Sequence, residues 1–180
     1  MLIPSSFRAN RAIGAMFFSL LGGAWLVLWS NRAFGFRLAN VAIVAICALA
    51  LFGFAWQVFQ QNKIALAAEA DSPAKKKADR IFNMVNAGQW VLILVVGNVL
   101  VNLGHPSWVL AAAIFIIGLH FLPLAHVFNY PPHYITGSAM MLWAICYPLV
   151  ATSGPSNPVG CLGAGIILWT SAIYGLTVRS

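Results

Sequence analysis

The residues able to do chemistry in this chain are few: four histidines, three acids and three cysteines among 180 residues. The three carboxylates, Glu69, Asp71 and Asp79, crowd into one polar stretch. The pair of opposed carboxylates that general acid–base catalysis commonly uses is therefore missing elsewhere. The chain also lacks an HExxH, a GxSxG and a phosphate-binding glycine loop. No enzyme is expected. Cys47, Cys146 and Cys161 stand in no ligand spacing, so their thiols are expected to pack as small apolar side chains. His120 and His126 are six positions apart, which places them about 120° apart around a helix. They have no acidic or cysteine co-ligand nearby, so neither a metal nor a cofactor is expected.

What must position these groups is a set of lipid-spanning helices. Hydrophobic residues make up 61% of the chain and charged residues 7%, against about 25% charged in soluble domains. From Arg80 to Arg179 not one Asp, Glu, Lys or Arg occurs. A crossing needs about 20 apolar residues, so that interval has room for four. The net charge of +7 could suggest nucleic acid, but five of the ten basic residues fall between Lys63 and Arg80. That is the placement of a cytoplasmic loop under the positive-inside bias. Lys75-Lys76-Lys77 is too short and too bare of aromatics for a nucleic-acid site; the expected partner is the lipid bilayer.

The expected fold class is all-α, a polytopic transmembrane bundle of about six helices in a single domain. Crossings are predicted at about 12–30, 38–60, 81–103, 108–128, 134–152 and 159–177, with a cytoplasmic loop at about 61–80. The run from Arg8 and Arg11 into an apolar stretch resembles a signal sequence but is of spanning length without a clear cleavage site, so it is read as a retained first helix. Ser72 is a candidate N-cap with Pro73 at the first helical position. Pro131-Pro132 is expected to end the fourth helix. With the N-terminus inside, Arg8, Arg11, Lys63, Lys75, Lys76, Lys77, Arg80 and Arg179 face the cytoplasm, and only Arg32 and Arg37 face outward. That count predicts both termini inside. Three helices followed by three of opposite direction would also suit an inverted repeat, though the halves share no sequence similarity. Small residues at four-residue spacing, Ala15, Ser19 and Gly23, then Gly160 and Ala164, predict close helix approach; a homo-oligomer face is the alternative use.

Depth follows from a rise of about 1.5 Å per residue. His120 lies about 18 Å below Trp108 on a descending helix, and Asn86 and Gln89 lie about 8 and 12 Å above Ile81 on an ascending one. The three should share a level, and Ser138 and Thr170 fall in the same inner half. A candidate polar layer of His120, Asn86, Gln89, Ser138 and Thr170 follows. Either it lines a cavity, or its members join helices by hydrogen bonds worth about 0.6 kcal/mol each. His126, Asn129, Tyr130 and His133 form a candidate cytoplasmic mouth, or simply an interface belt.

Gly118-Leu-His-Phe-Leu-Pro-Leu-Ala125, with Tyr134-Ile-Thr-Gly137, resembles a segment of small bacterial six-helix integral membrane proteins of uncharacterised function. The resemblance covers about a fifth of the chain. It implies a multi-pass protein of the bacterial inner (plasma) membrane and carries no activity, substrate or site. Two functions remain open on these residues. One is a small transporter or channel using the polar layer; the other is a non-transporting accessory or lipid-interacting protein. A water-accessible cavity reaching His120 would favour the first, a dry bundle the second.

Overall fold

The computed structural model describes residues 5–69 and 72–178, apart from the Glu69 side chain. Asp71 of the polar stretch and Arg179 of the cytoplasmic basic residues lie outside the described residues. Among the described residues six α-helices account for nearly all of the length: α1 (Ser5–Phe34), α2 (Leu38–Glu69), α3 (Pro73–Asn102), α4 (Val109–Val127), α5 (Pro132–Val150) and α6 (Val159–Thr177). Short 3-10 turns, Pro106–Trp108 and Gly154–Ser156, precede α4 and α6. The fold is all-α and of the multi-pass membrane type. Five helices, all but α5, are long and apolar enough to cross a membrane. α5 has the length, but His133, Tyr134, Thr136, Gly137 and Ser138 occupy its first two turns and hold its mean hydropathy down.

Local chemistry sets the helix ends. Ser72 Oγ accepts from the Lys75 amide at 3.2 Å, and Pro73 opens α3, as the Ser-Pro pair predicts. α4 ends before the double proline. Asn129 takes the left-handed conformation at φ 47°, with Tyr130 N–H donating to Ala125 O at 2.9 Å and Asn129 N–H to His126 O at 3.2 Å. This is a Schellman closure, so Pro131-Pro132 starts α5 instead of stopping α4. The same closure ends α3 at Gly104, where φ is 78°.

α1 starts earlier than the apolar run predicts, because the helix continues past its apolar part through Arg8 and Arg11. At about 1.5 Å per residue, α1, α2 and α3 are each roughly 45 Å or more in length, against about 30 Å of hydrocarbon. α4, α5 and α6 have 19 residues each, or about 28 Å.

The helices pack as two compact units, one of residues up to Lys76 with Gly165 onward, the other of Lys77–Ala164. In the first, α1 runs along α2, and the later part of α6 closes on α1. Gly22 faces Trp169 and the Gly165 carbonyl, and Gly23 faces Ala48. The Trp169 indole N–H donates to Ser19 O at 2.9 Å. Ala15, Ser19 and Gly23 are all buried there, as a close-packing ridge requires.

Arg11 ties the end of α6 to α1. Its Nη2 donates to Val178 O at 3.0 Å and to Tyr174 O at 3.4 Å. A cation at a helix C-terminus meets the carbonyls of the last turn and the negative end of the dipole. Arg11→Ala is expected to cost about 1–2 kcal/mol and to lower the unfolding temperature in detergent; Arg11→Lys should recover part of that loss. An Arg11→Ala protein that melts with the wild type would rule the cap out as a stabilising contact.

In the second unit α4 and α5 meet backbone to backbone. A Cβ built on Gly118 would lie 2.8 Å from Gly137 O, and one on Gly137 would lie 2.6 Å from Gly118 O. The start of α6 packs under α5 aromatics: Gly160 sits beneath the Tyr147 ring and Gly163 beneath the Trp143 indole. Trp143 Nε1 donates to Gly160 O at 3.1 Å, and the Tyr147 hydroxyl to Pro155 O at 3.1 Å.

Candidate functional site

α3 inverts the usual order of burial. Trp90, Val91, Leu92, Leu94, Val95 and Val99 are all exposed, so nearly all of the helix's apolar stretch is uncovered. Its buried residue is a glutamine, Gln89, at 9% exposure. In water this arrangement would be unfavourable, because apolar surface would stay wet while an amide was desolvated. In lipid it is the favourable one, since the exposed apolar groups are solvated by acyl chains.

Gln89 belongs to a groove in the second unit, between α3 and α4. Val85, Gly88, Gln89 and Leu92 form one wall; Ile116, Leu119, His120, Leu122 and Pro123 form the other. The α3 set, and Ile116, Leu119, His120 and Pro123 on α4, both follow the i, i+3, i+4, i+7 spacing of one helix face. The groove holds about 350 Å³. Gly88 keeps it open on one side, since nothing lies within 4 Å of where a Cβ would be. Leu119, Pro123, Gly88 and Leu92 are exposed, so the groove opens on the outer surface of the helices.

Two polar side chains face this apolar space. His120 Nδ1 lies 2.5 Å from Ile117 O. A carbonyl can only accept, so the proton sits on Nδ1 and the Nε2 lone pair is left over. Gln89 Oε1 is buried with no hydrogen-bond partner. Pro123, on the same face, cannot donate to the carbonyl of Leu119 one turn earlier, so that oxygen also lacks its usual helical partner.

Of the predicted polar layer, the groove brings His120 and Gln89 together. Asn86 is one turn before Gln89 and half-buried, but it is not part of the groove lining. Ser138 and Thr170 are exposed on the surfaces of α5 and α6. No hydrogen bond joins these five residues. Other polar side chains in the helices bond to their own backbone one turn back: Asn98 to Leu94 O, Ser171 to Ile167 O, Thr136 to Pro132 O. Asn98, which satisfies itself this way, does not glue helices together.

The predicted mouth splits. Tyr130 and His133 meet edge to face with centroids 4.8 Å apart, and His133 packs 5.6 Å from Phe121, itself 4.2 Å from His120. An aromatic chain therefore leads from the α4–α5 turn to the groove. His126 and Asn129 are exposed, and Asn129 serves the turn through its backbone. Among the described residues no three of His, Cys, Asp or Glu are grouped as metal ligands.

The sequence shows that Pro123 removes the bond to the Leu119 carbonyl, but not that Leu119, His120 and Pro123 line one groove. Nor does it show that Gly88 leaves the groove open. Matched against protein-family models, curated proteins and solved structures, the chain finds no counterpart in any of the three.

Proposed function

We propose that this protein is a lipid-interacting membrane protein that holds a membrane-soluble molecule in the α3–α4 groove, in place of conducting a water-soluble solute. The observation that carries this reading is the buried, unpartnered amide of Gln89 beside His120 in an otherwise apolar groove open at the side of the helices. A bound molecule with an apolar body and one polar point would satisfy that amide and cover the walls. A conducting pathway would need a continuous line of polar groups, whereas Ser138 and Thr170 lie on exposed helix surfaces. The basic count, eight residues against two, supports an orientation with both termini in the cytoplasm, and the segment resemblance supports a bacterial plasma membrane. The 19 residues of α5 and its glycine contact with α4 support a sixth crossing despite the polar start.

Native mass spectrometry of the wild type and of Gly88→Phe tests the proposal. The wild type is expected to keep a small lipid-sized adduct that the phenylalanine, filling the groove, displaces. Proteoliposomes of both should show no ion flux above empty vesicles. A flux that His120→Ala abolishes in a folded protein would overturn the reading in favour of transport.

A further inference from the structure

We infer that the α3–α4 groove selects a neutral lipid whose polar end is a hydroxyl. The inference rests on the reading of this groove as a lipid site and adds the chemistry of the lipid.

Two side-chain atoms at the groove are left over as acceptors, Gln89 Oε1 and His120 Nε2, and the Leu119 carbonyl has lost its usual helical donor to Pro123. A cluster of acceptors in hydrocarbon needs a donor. A carboxylate or an ether oxygen would bring only more lone pairs. A hydroxyl brings one O–H to donate, and its oxygen can in turn accept from the Gln89 amide N–H₂.

Depth excludes a charged headgroup. His120 lies seven residues before the end of α4 at Val127, about 10 Å inside that end. Gln89 is thirteen residues before the end of α3 at Asn102, about 20 Å below it and level with His120. A phosphate at that level would require a cation, and no lysine or arginine occurs between Arg80 and Arg179. Only a small uncharged donor suits the site. Its apolar chain would lie along Val85, Leu92, Ile116, Leu119 and Leu122, whose faces are already matched to acyl solvent.

The test uses three probes of equal chain length, each bearing the same photoreactive diazirine: a sixteen-carbon primary alcohol, its methyl ether and the corresponding carboxylate. Each is photolysed with the full-length protein in neutral-lipid nanodiscs, and labelled peptides are located by mass spectrometry. The alcohol is expected to label residues 85–92 and 116–123 about tenfold more than the ether or the carboxylate, the factor for one hydrogen bond. Gln89→Leu, which keeps size and removes an amide with no protein partner, should reduce alcohol labelling to the ether level and leave ether labelling unchanged. His120→Phe serves as a second variant should Gln89→Leu fail to fold. Equal labelling by alcohol and ether, or alcohol labelling indifferent to both variants, would overturn the hydroxyl inference while leaving the groove a lipid site. Absence of all three probes from the groove would overturn the lipid site itself.

Discussion

Gly118→Ala should unfold the α4–α5 hairpin at markedly lower temperature, with a loss of about 2–3 kcal/mol and a collapse of the monodisperse detergent peak. The added methyl would stand 2.8 Å from Gly137 O and 2.9 Å from the Met141 backbone nitrogen. Neither obstacle is a flexible side chain, so relief requires the two helices to move apart. That movement exposes the buried faces around Ile114, Phe121, Met140 and Ala144. Trimming Met141, whose Cγ is also 2.8 Å away, should not restore stability, because both backbone atoms remain. Gly14→Ala is the control: nothing lies within 4 Å of its Cβ position, so its melting point should hold or rise with a gain of roughly 0.5–1 kcal/mol. Equal behaviour of the two variants would show that the glycine contact is not what joins α4 to α5.

Gly22→Ala should be nearly as damaging, yet rescuable. Its Cβ would press into the Trp169 ring at Cδ1, while the nearest backbone atom, Gly165 O, is at 3.1 Å. The main obstacle is thus a side chain. Gly22→Ala alone is expected to cost about 2 kcal/mol through overpacking. Trp169→Leu alone loses aromatic packing and the bond to Ser19 O, also about 2 kcal/mol. Combined, they should cost at least 1 kcal/mol less than the sum, since the smaller leucine leaves room for the methyl. Strictly additive losses in a double-mutant cycle would mean that Trp169 does not press on Gly22.

The contrast between these glycines marks what a sequence of this kind makes legible. Helix number and order followed from the uncharged runs. The start of α3 at Ser72-Pro73 followed from cap chemistry, and the common level of Gln89 and His120 from counting residues. Helix rotation did not follow. A lipid-facing surface is as apolar as a buried one, so α1, α5 and α6 carry only weak amphipathic stripes to show which side turns inward. Trp143 over Gly163 and Trp169 over Gly22 were hidden for that reason. The small-residue ridge on α1 was visible, but its partner on α6 was placed at Gly160 and Ala164, whereas Gly165 and Trp169 meet α1. Arg11 read as a topology signal and proved also to cap α6. Hydropathy located the lipid-facing part of α1 and missed its polar extension, because a helix need not stop where the bilayer does.

The two classes of helix length make the chain sensitive to membrane thickness in an uneven way. α1, α2 and α3 continue beyond the hydrocarbon in polar turns whose long Arg and Lys side chains can reach back to the interface when the helix leans. α4 and α6, at 19 residues each, match an unstretched bilayer only when nearly upright. Hydrophobic mismatch would therefore fall on α4, the helix that carries His120 and Pro123. Longer acyl chains would have to thin around it, and the protein should partition toward the thinner regions of a heterogeneous membrane.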